Sequence, residues 1–254
     1  MTLPLEGKLA LVTGASRGIG AAIARRLARE GAAVLVHYGA SRDRADALVQ
    51  EIVQAGGKAE AVGADLTGAD GPAQLFSQVD AAFEGAFGGR LDVLVNNAGT
   101  GAFASLTDTT DEQFDAQFNL NVRAVFQLSR EAARRMTGTG WGRIINIGSA
   151  LGEGVPMPAM AIYCATKFAI NGLTRGWSRD LGATGITVNS VQPGPIDTEL
   201  NPADGPMAEI QKKFTSVGRY GKPEEVAAAV AFLAHPESAY INGENLTVDG
   251  GWNA

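Results

Sequence analysis

The sequence predicts an α/β fold, a doubly wound parallel sheet of seven strands flanked by helices on both faces, and three observations predict it. Short apolar runs alternate with longer amphipathic stretches along the chain, and such alternation implies parallel strands joined by right-handed crossovers. Glycine makes up 33 of 254 residues, nearly twice the ordinary share of about 7%, without the G-X-Y period of collagen. A glycine-rich turn, Gly14-x-x-x-Gly18-x-Gly20, separates the first apolar run from the first helical stretch.

Residues 8–13 form a short apolar run bounded by turn residues, which suits a strand buried on both faces. A helix follows over 19–30. The alternation continues with strand 33–38, helix 42–54, strand 59–64, helix 72–86 and strand 91–95. Pro72 falls in a first helical turn, where its missing N–H removes no bond. Thr110 and Gln113 have capping-box spacing for a helix running to about Arg135. Strand 143–148, helix 161–181, strand 186–191, helix 223–234 and strand 245–248 complete the series. No repeat or linker divides the chain, so residues 1–254 are expected to form one domain. The longest irregular stretch begins at Pro193 and is rich in proline and glycine. A loop of this kind is typically functional, and 194–215 is expected to be a substrate lid.

Composition narrows the function classes. A net charge of −6 has the wrong sign for a protein that tracks a phosphate backbone, so no nucleic-acid partner is expected. With 45% hydrophobic and 19% charged residues the chain is globular in type. The longest apolar stretch, 226–234, is far below the roughly 18 residues of a membrane span, and no membrane partner is expected. The N-terminal segment lacks a basic region followed by an apolar one, which makes a cytoplasmic location the default. Cys164 is the lone cysteine, with only His37 and His235 beside it, so neither an internal disulfide nor a zinc cluster is expected.

The glycine turn is the first chemical signal. Glycines let the backbone approach a pyrophosphate, and the helix N-terminus offers unpaired N–H groups and a positive dipole end. Gly14, Ser16, Arg17, Ile19 and Gly20 are therefore candidate cofactor residues. The spacing departs from G-x-G-x-x-G, and the bland alternative is an ordinary β-α turn. The stretch also matches G-x-S-x-G at Gly14-Ala-Ser16-Arg-Gly18, the pattern of a hydrolase nucleophile elbow. Ser16, however, follows the first strand, and no earlier strand exists to carry an oxyanion loop.

At the end of the second strand an NAD site usually places an acid for the ribose 2′-hydroxyl. Here the chain reads Val36-His37-Tyr38-Gly-Ala-Ser41-Arg42, with no carboxylate before Asp43. His37, Tyr38, Ser41 and Arg42, with Arg17, are candidates for a 2′-phosphate site, which favours NADP(H). The bland alternative leaves Arg17 and Arg42 as solvated charges and His37 as a strand-end residue.

Tyr163 and Lys167 are four apart on a predicted helix, hence on one face. An ammonium beside a phenol favours the phenolate, so the tyrosine pKa is expected to fall from about 10. Ser149 ends the preceding strand, at the sheet edge where parallel α/β folds bind ligands. Its hydroxyl is positioned to hold a substrate carbonyl.

Together these residues resemble the short-chain dehydrogenase/reductase family, in its branch of about 250 residues, with a single Rossmann domain. The resemblance runs end to end through Thr13 to Gly20, Asn96-Asn97-Ala98-Gly99, Asn121, Ser149, Tyr163 with Lys167, Pro193-Gly194 and Val248-Asp249-Gly250-Gly251. It implies that Tyr163 exchanges a proton with the substrate oxygen, Ser149 hydrogen-bonds that oxygen, Lys167 binds nicotinamide ribose hydroxyls, and Asn121 anchors a water. It further implies that Asn97, Ala98 and Gly99 line the cofactor, that Asp65 and Leu66 line the adenine, that Pro193 and Gly194 belong to the cofactor site, and that Ile196 and Thr198 sit near the carboxamide and phosphates. Ser149 and Tyr163 are 14 apart where 13 is commoner, a departure that falls at the substrate mouth.

The expected activity is NADP(H)-dependent reduction of a ketone to a secondary alcohol, reversibly. Alternatives are 3-oxoacyl-[acyl-carrier-protein] reduction and a noncatalytic ligand-binding role. Against a carrier-bound substrate, Gly140 and Thr184 stand where carrier-binding relatives present arginines. Phe103, Leu151, Met157, Met160, Ile162, Leu200 and Met207 are the candidate pocket wall. Glu153 and Cys164 read more simply as a loop charge and a core residue. Phe114, Phe118, Phe126, Phe168 and Trp177 lie on more than one side of their helices, and the resemblance implies a homotetramer.

Overall fold

The apolar runs do become strands buried on both faces, because each feeds two cores at once. The computed structural model describes residues 2–254; Met1, first in the expected 1–254 domain, lies outside the described residues. The strands are β1 (Leu9–Val12), β2 (Ala33–Tyr38), β3 (Lys58–Gly63), β4 (Val93–Asn96), β5 (Gly142–Ile147), β6 (Ile186–Pro193) and β7 (Asn245–Val248). They form a parallel seven-stranded sheet in the order β3-β2-β1-β4-β5-β6-β7. In β1, Ala10 and Val12 point into a cluster with Ile23, Leu27, Leu48, Val226 and Val230. Leu9 and Leu11 point into the opposite cluster with Leu75, Leu128 and Met136. A period of two thus serves two helix layers, which is why alternation of polar and apolar residues is missing.

The helices are α1 (Gly18–Arg29), α2 (Arg42–Gln54), α3 (Gly71–Ala81), α4 (Asp111–Phe118), α5 (Val125–Met136), α6 (Ala161–Leu181), α7 (Ala208–Phe214) and α8 (Pro223–Ala234). Strand order reverses between β1 and its neighbours β2 and β4, and the crevice beyond the strand ends at such a reversal is the natural ligand site.

Several expected elements end elsewhere. The helix expected over 72–86 stops at Ala81, because Phe83 and Glu84 adopt left-handed φ values of 52° and 55°. The Phe83 N–H is drawn to the Glu60 carboxylate at 2.9 Å instead of continuing the helix. The helix expected from 110 to about 135 starts as a capping box on Thr110, with both reciprocal bonds made. It is interrupted by a π-helical turn over Asn119–Ala124 before continuing as α5; such turns commonly mark functional positions. The expected lid over 194–215 contains α7, and β6 runs two residues further than expected, to Pro193. Among the described residues no helix is long and apolar enough to cross a membrane.

Candidate active site

The turn after β1 is built to keep backbone N–H groups open. Gly14 has φ +61°, and a Cβ there would lie 2.9 Å from the Ala98 Cα. A Cβ on Gly20 would lie 2.4 Å from the Gly14 carbonyl and 2.5 Å from Asn97 Nδ2, so neither position accepts a side chain. Helix α1 has no side-chain cap and no acid in its first turn. Its first N–H groups and dipole are left for an external anion. Ser16 is half-buried and Arg17 exposed at this mouth, with Ile19 half-buried behind them.

Several residues expected to touch a cofactor also hold this turn. His37 is buried: its Nδ1 accepts from the Gly14 N–H at 3.0 Å and its Nε2 lies 3.0 Å from the Ala64 carbonyl. An amide donor on one side and a carbonyl acceptor on the other select the neutral Nε2–H tautomer. Burial pushes its pKa down to about 4, and both ring nitrogens are engaged in holding the turn. Asn97 likewise turns its Nδ2 to the carbonyls of Thr13 and Gly14, at 2.8 and 3.0 Å. Thr13 Oγ1 accepts from the N–H groups of Asn97 and Ala98 at 2.9 and 3.0 Å. Thus Thr13 and Asn97 lock the glycine turn to the end of β4, leaving Ala98 and Gly99 at the crevice. Tyr38 is half-buried, and its ring stands where a Gly63 side chain would be.

A third arginine joins the expected pair. Arg42 is exposed and turned to Asp46 at 3.4 Å, one helical turn away. Arg44 instead converges with Arg17: both reach the carboxylate of Glu199, Arg44 Nη1 at 2.7 Å from each oxygen and Arg17 Nη1 at 3.3 Å. A cavity of about 410 Å³ lies here, lined by Ser16, Arg17, Gly18, Arg44 and Glu199 among others. The sequence does carry a signal for Arg44, since helix geometry leans a side chain three residues past Ser41 back over that end. Ser41, the residue before α2, makes no capping bond with its side chain. Asp65 is exposed and holds the Thr67 N–H and hydroxyl at 2.9 and 2.6 Å, while Leu66 points into the core.

Across the crevice, Ser149, Tyr163, Lys167 and Asn121 come together. Tyr163 and Lys167 share a face of α6, with the Lys167 Nζ 5.6 Å from the Tyr163 ring centre. A Cβ on Gly101 would lie 3.3 Å from the Tyr163 ring; one on Gly99 would lie 3.3 Å from Asn121 Oδ1 and 4.0 Å from Lys167 Nζ. The 99–101 loop is therefore the common floor of the site. Asn121, in the π-helical turn, clamps that loop: its Oδ1 accepts from the Thr100 N–H at 2.9 Å. Its Nδ2 donates to the Thr100 carbonyl at 2.8 Å and to Thr166 Oγ1 at 3.1 Å.

Burial raises the Tyr163 phenol above its ordinary value, partly opposed by the Ser149 hydroxyl. This corrects the expectation of a lowered phenol. The lysine is itself desolvated, and its pKa is pushed down to about 8. One of its three N–H donors goes to the Ile147 carbonyl at 3.0 Å, and two remain for a ligand. Burial also pushes the Cys164 thiol up, in keeping with a core residue.

Ser149 is buried, and its Oγ accepts from the Leu151 N–H at 3.1 Å. Its own N–H donates to Gln192 Oε1 at 2.9 Å, and Gln192 Nε2 donates to Asn171 Oδ1 at 2.7 Å and Ser190 Oγ at 2.6 Å. This buried network fixes Ser149 to β6 and α6. No sequence signal pointed to Gln192, since its partners meet only across the sheet.

Pro193 ends β6, and a Cβ on Gly194 would lie 2.7 Å from the Asp249 Cα. Ile196 is buried, and Thr198 lies over Gly18. Of the expected pocket wall, exposed Phe103 packs on Tyr163 with ring centres 5.6 Å apart. Leu151, Met157 and Met160 are half-buried in the segment leading into α6 and Ile162 is half-buried in its first turn, while Leu200 and Met207 are exposed beyond β6. Among the described residues no group of three or more His, Cys, Asp or Glu is placed to hold a metal.

The profile of the family described as enoyl-(acyl carrier protein) reductase matches residues 14–253. The chain is similar to the cyclic-di-GMP-binding biofilm dispersal mediator protein of Escherichia coli K12, 42% identical over 248 residues and 98% of each chain. It is 49% identical to a short-chain dehydrogenase/reductase from Serratia marcescens, with a TM-score of 0.93 over 99% of this chain and 100% of that one. A short chain dehydrogenase from Burkholderia cenocepacia, solved in complex with NADP, is 49% identical with a TM-score of 0.92 over the same shares. By its motifs, its sheet and these matches, the chain belongs to the short-chain dehydrogenase/reductase family of oxidoreductases.

Proposed function

We propose that the protein is an NADP(H)-dependent reductase of a ketone, reversible as a secondary-alcohol dehydrogenase, with Tyr163 as its acid and base. The observation that carries this reading is the convergence of Tyr163, Lys167 and Asn121 on the 99–101 loop, beside the glycine turn. The uncapped start of α1, the side-chain-free turn and the Arg17 and Arg44 pair fit a phosphorylated dinucleotide. The NADP complex of the Burkholderia relative supports the same cofactor. When bound, the cofactor supplies hydride from its nicotinamide to the carbonyl carbon.

The chain's own residues do the rest. Because Ser149 Oγ already accepts from the Leu151 N–H, its hydrogen is directed to the substrate oxygen. As the carbonyl carbon gains hydride, the Tyr163 hydroxyl gives its proton to that oxygen, leaving an alcohol and a phenolate. The neighbouring Lys167 ammonium offsets the phenolate charge, and its two spare donors suit ribose hydroxyls. In reverse, the phenolate takes the alcohol proton. Asn121 acts as a positioning residue for the loop below them.

Phe103 beside Tyr163 favours an apolar group next to the reacting carbonyl, so the substrate class is a medium-sized hydrophobic ketone. A carrier-bound 3-oxoacyl substrate ranks second, since Gly140 and Thr184 offer no cation to an acidic carrier. A purely noncatalytic role leaves the complete set of Ser149, Tyr163, Lys167 and Asn121 without a purpose. We place the work in the cytoplasm, in a single domain with 194–215 as its lid.

The deciding experiment follows NADPH oxidation against ketones, diketones, 3-oxoesters and sugars, with NADH in parallel. Turnover of a ketone with NADPH supports the reading. NADPH binding with no turnover across the panel overturns it in favour of the noncatalytic role.

Assembly is part of the proposal. Phe114, Phe126 and Phe168 on α4, α5 and α6 are each 41–45% exposed, and Phe114 stacks on Phe118 at 4.4 Å. A second copy is the natural cover for such a face. Light scattering at micromolar concentration is expected to give a tetramer, and Phe168→Glu to give a smaller species. A monomeric wild type would refute it.

A further inference from the structure

Glu199 sits where an anion from outside should sit. Its carboxylate is shared by two guanidinium groups, Arg17 from the glycine turn and Arg44 from α2, at 3.3 and 2.7 Å. Neither arginine has another acidic partner within ion-pair distance among the described residues. All three side chains are about half exposed, at 45%, 51% and 55%, so the clasp forms at the mouth of the crevice and opens without disturbing the core. We propose that Glu199 is an internal stand-in for the 2′-phosphate of NADP(H), which must displace it from Arg17 and Arg44 and thereby unlatches the segment that carries it. The inference rests on the reading of this crevice as an NADP(H) site.

The chemistry of exchange is plain. A phosphate monoester carries about 1.5 to 2 negative charges and three acceptor oxygens, against one charge and two oxygens for a carboxylate. Two arginines therefore prefer the phosphate once it arrives, and the carboxylate keeps them paired until then. NADH, which has a hydroxyl at that position, has no charge with which to displace Glu199.

The segment is mechanically continuous with the lid. Thr198 lies over Gly18, with its Cγ2 3.4 Å from where a Gly18 Cβ would be. The Asn201 N–H donates to the Thr198 carbonyl at 3.0 Å, and Asn201 Nδ2 donates to Gln211 Oε1 on α7 at 3.0 Å. The Tyr220 hydroxyl donates to the same Gln211 oxygen at 2.8 Å. Releasing Glu199 thus frees one end of a strap whose other end is α7.

Glu199→Gln removes the competing charge while keeping the side-chain size, and Arg44→Ala removes the phosphate contact. By fluorescence titration, Glu199→Gln is expected to bind NADPH about two- to fivefold more tightly, the scale of one exposed ion pair, with NADH affinity unchanged. Arg44→Ala is expected to weaken NADPH selectively. In wild type, 2′,5′-ADP but not 5′-ADP is expected to speed tryptic cleavage at Lys212 and Lys213 of α7. If Arg44→Ala weakens NADPH but Glu199→Gln leaves it unchanged, the stand-in role is overturned and the cofactor reading stands. If Glu199→Gln weakens NADPH and NADH alike, Glu199 is a latch over bound cofactor, and the proposal is again overturned. If wild type binds NADH as well as NADPH and Arg44→Ala changes neither, the cofactor reading itself falls, and this inference with it.

Discussion

Replacing Tyr163 by phenylalanine is expected to lower turnover by about 10²- to 10⁴-fold, the usual contribution of a positioned proton donor, while NADPH binds as to wild type. The substitution removes only the hydroxyl. The ring packs on Phe103 at 5.6 Å and stands over Gly101, and phenylalanine preserves both contacts. Burial holds the phenol above its ordinary value in the cofactor-free protein, so at neutral pH Tyr163 stands ready as an acid, the form that carbonyl reduction requires. Lys167, with a pKa near 8, is the group beside it that changes charge closest to neutrality. Single-turnover rates and NADPH titration separate chemistry from binding. Wild-type rates in the phenylalanine variant would mean that another group supplies the proton.

Acid is expected to unfold the protein through His37. Its pKa is about 4 in the folded chain against about 6.5 for a free histidine. Between those values the unfolded chain binds the extra proton, so stability falls with decreasing pH. The stabilisation is whole above about pH 6.5 and is lost progressively as pH falls through about 4, a change of roughly 3 kcal/mol. That is a large part of the 5–15 kcal/mol typical of a domain. The structural cause is specific: a proton on Nδ1 would face the Gly14 N–H that it now accepts. Cofactor affinity should therefore weaken over the same window. Urea denaturation at stepped pH checks this, with His37→Gln expected to flatten the slope and His235→Gln to retain it. An unchanged profile in His37→Gln would remove His37 as the cause.

The reading of α1 and α6 needed only local information. Glycine spacing after an apolar run specifies a turn open to an anion, and a tyrosine and lysine four apart on a helix must share a face. Ser149 was legible for a similar reason, because it ends a strand whose apolar run is unmistakable. His37 and Asn97 were legible as residues near the site, but their bonds to the glycine turn were not. The sequence distance between Gly14 and His37, or between Thr13 and Asn97, hides contacts that exist only because β2, β1 and β4 lie side by side. Nothing local marks a histidine as a backbone acceptor rather than a ligand contact.

Periodicity and punctuation in the chain alone determined the doubly wound parallel sheet, the glycine turn at its reversal, and the tyrosine, lysine and serine of the candidate site. These depend on short-range geometry: 3.6 residues per turn, two-sided burial of a strand, and the backbone freedom of glycine. Tertiary structure alone decided which arginine meets Arg17, that Glu199 closes the pair, that Gln192 anchors Ser149, and that burial raises Tyr163 rather than Lys167 lowering it. Each depends on groups that only the folded chain brings together, the arginine clasp at a half-exposed mouth and Ser149, Tyr163 and Lys167 in a buried site, where proximity and burial, not spacing, set charge and hydrogen bonding.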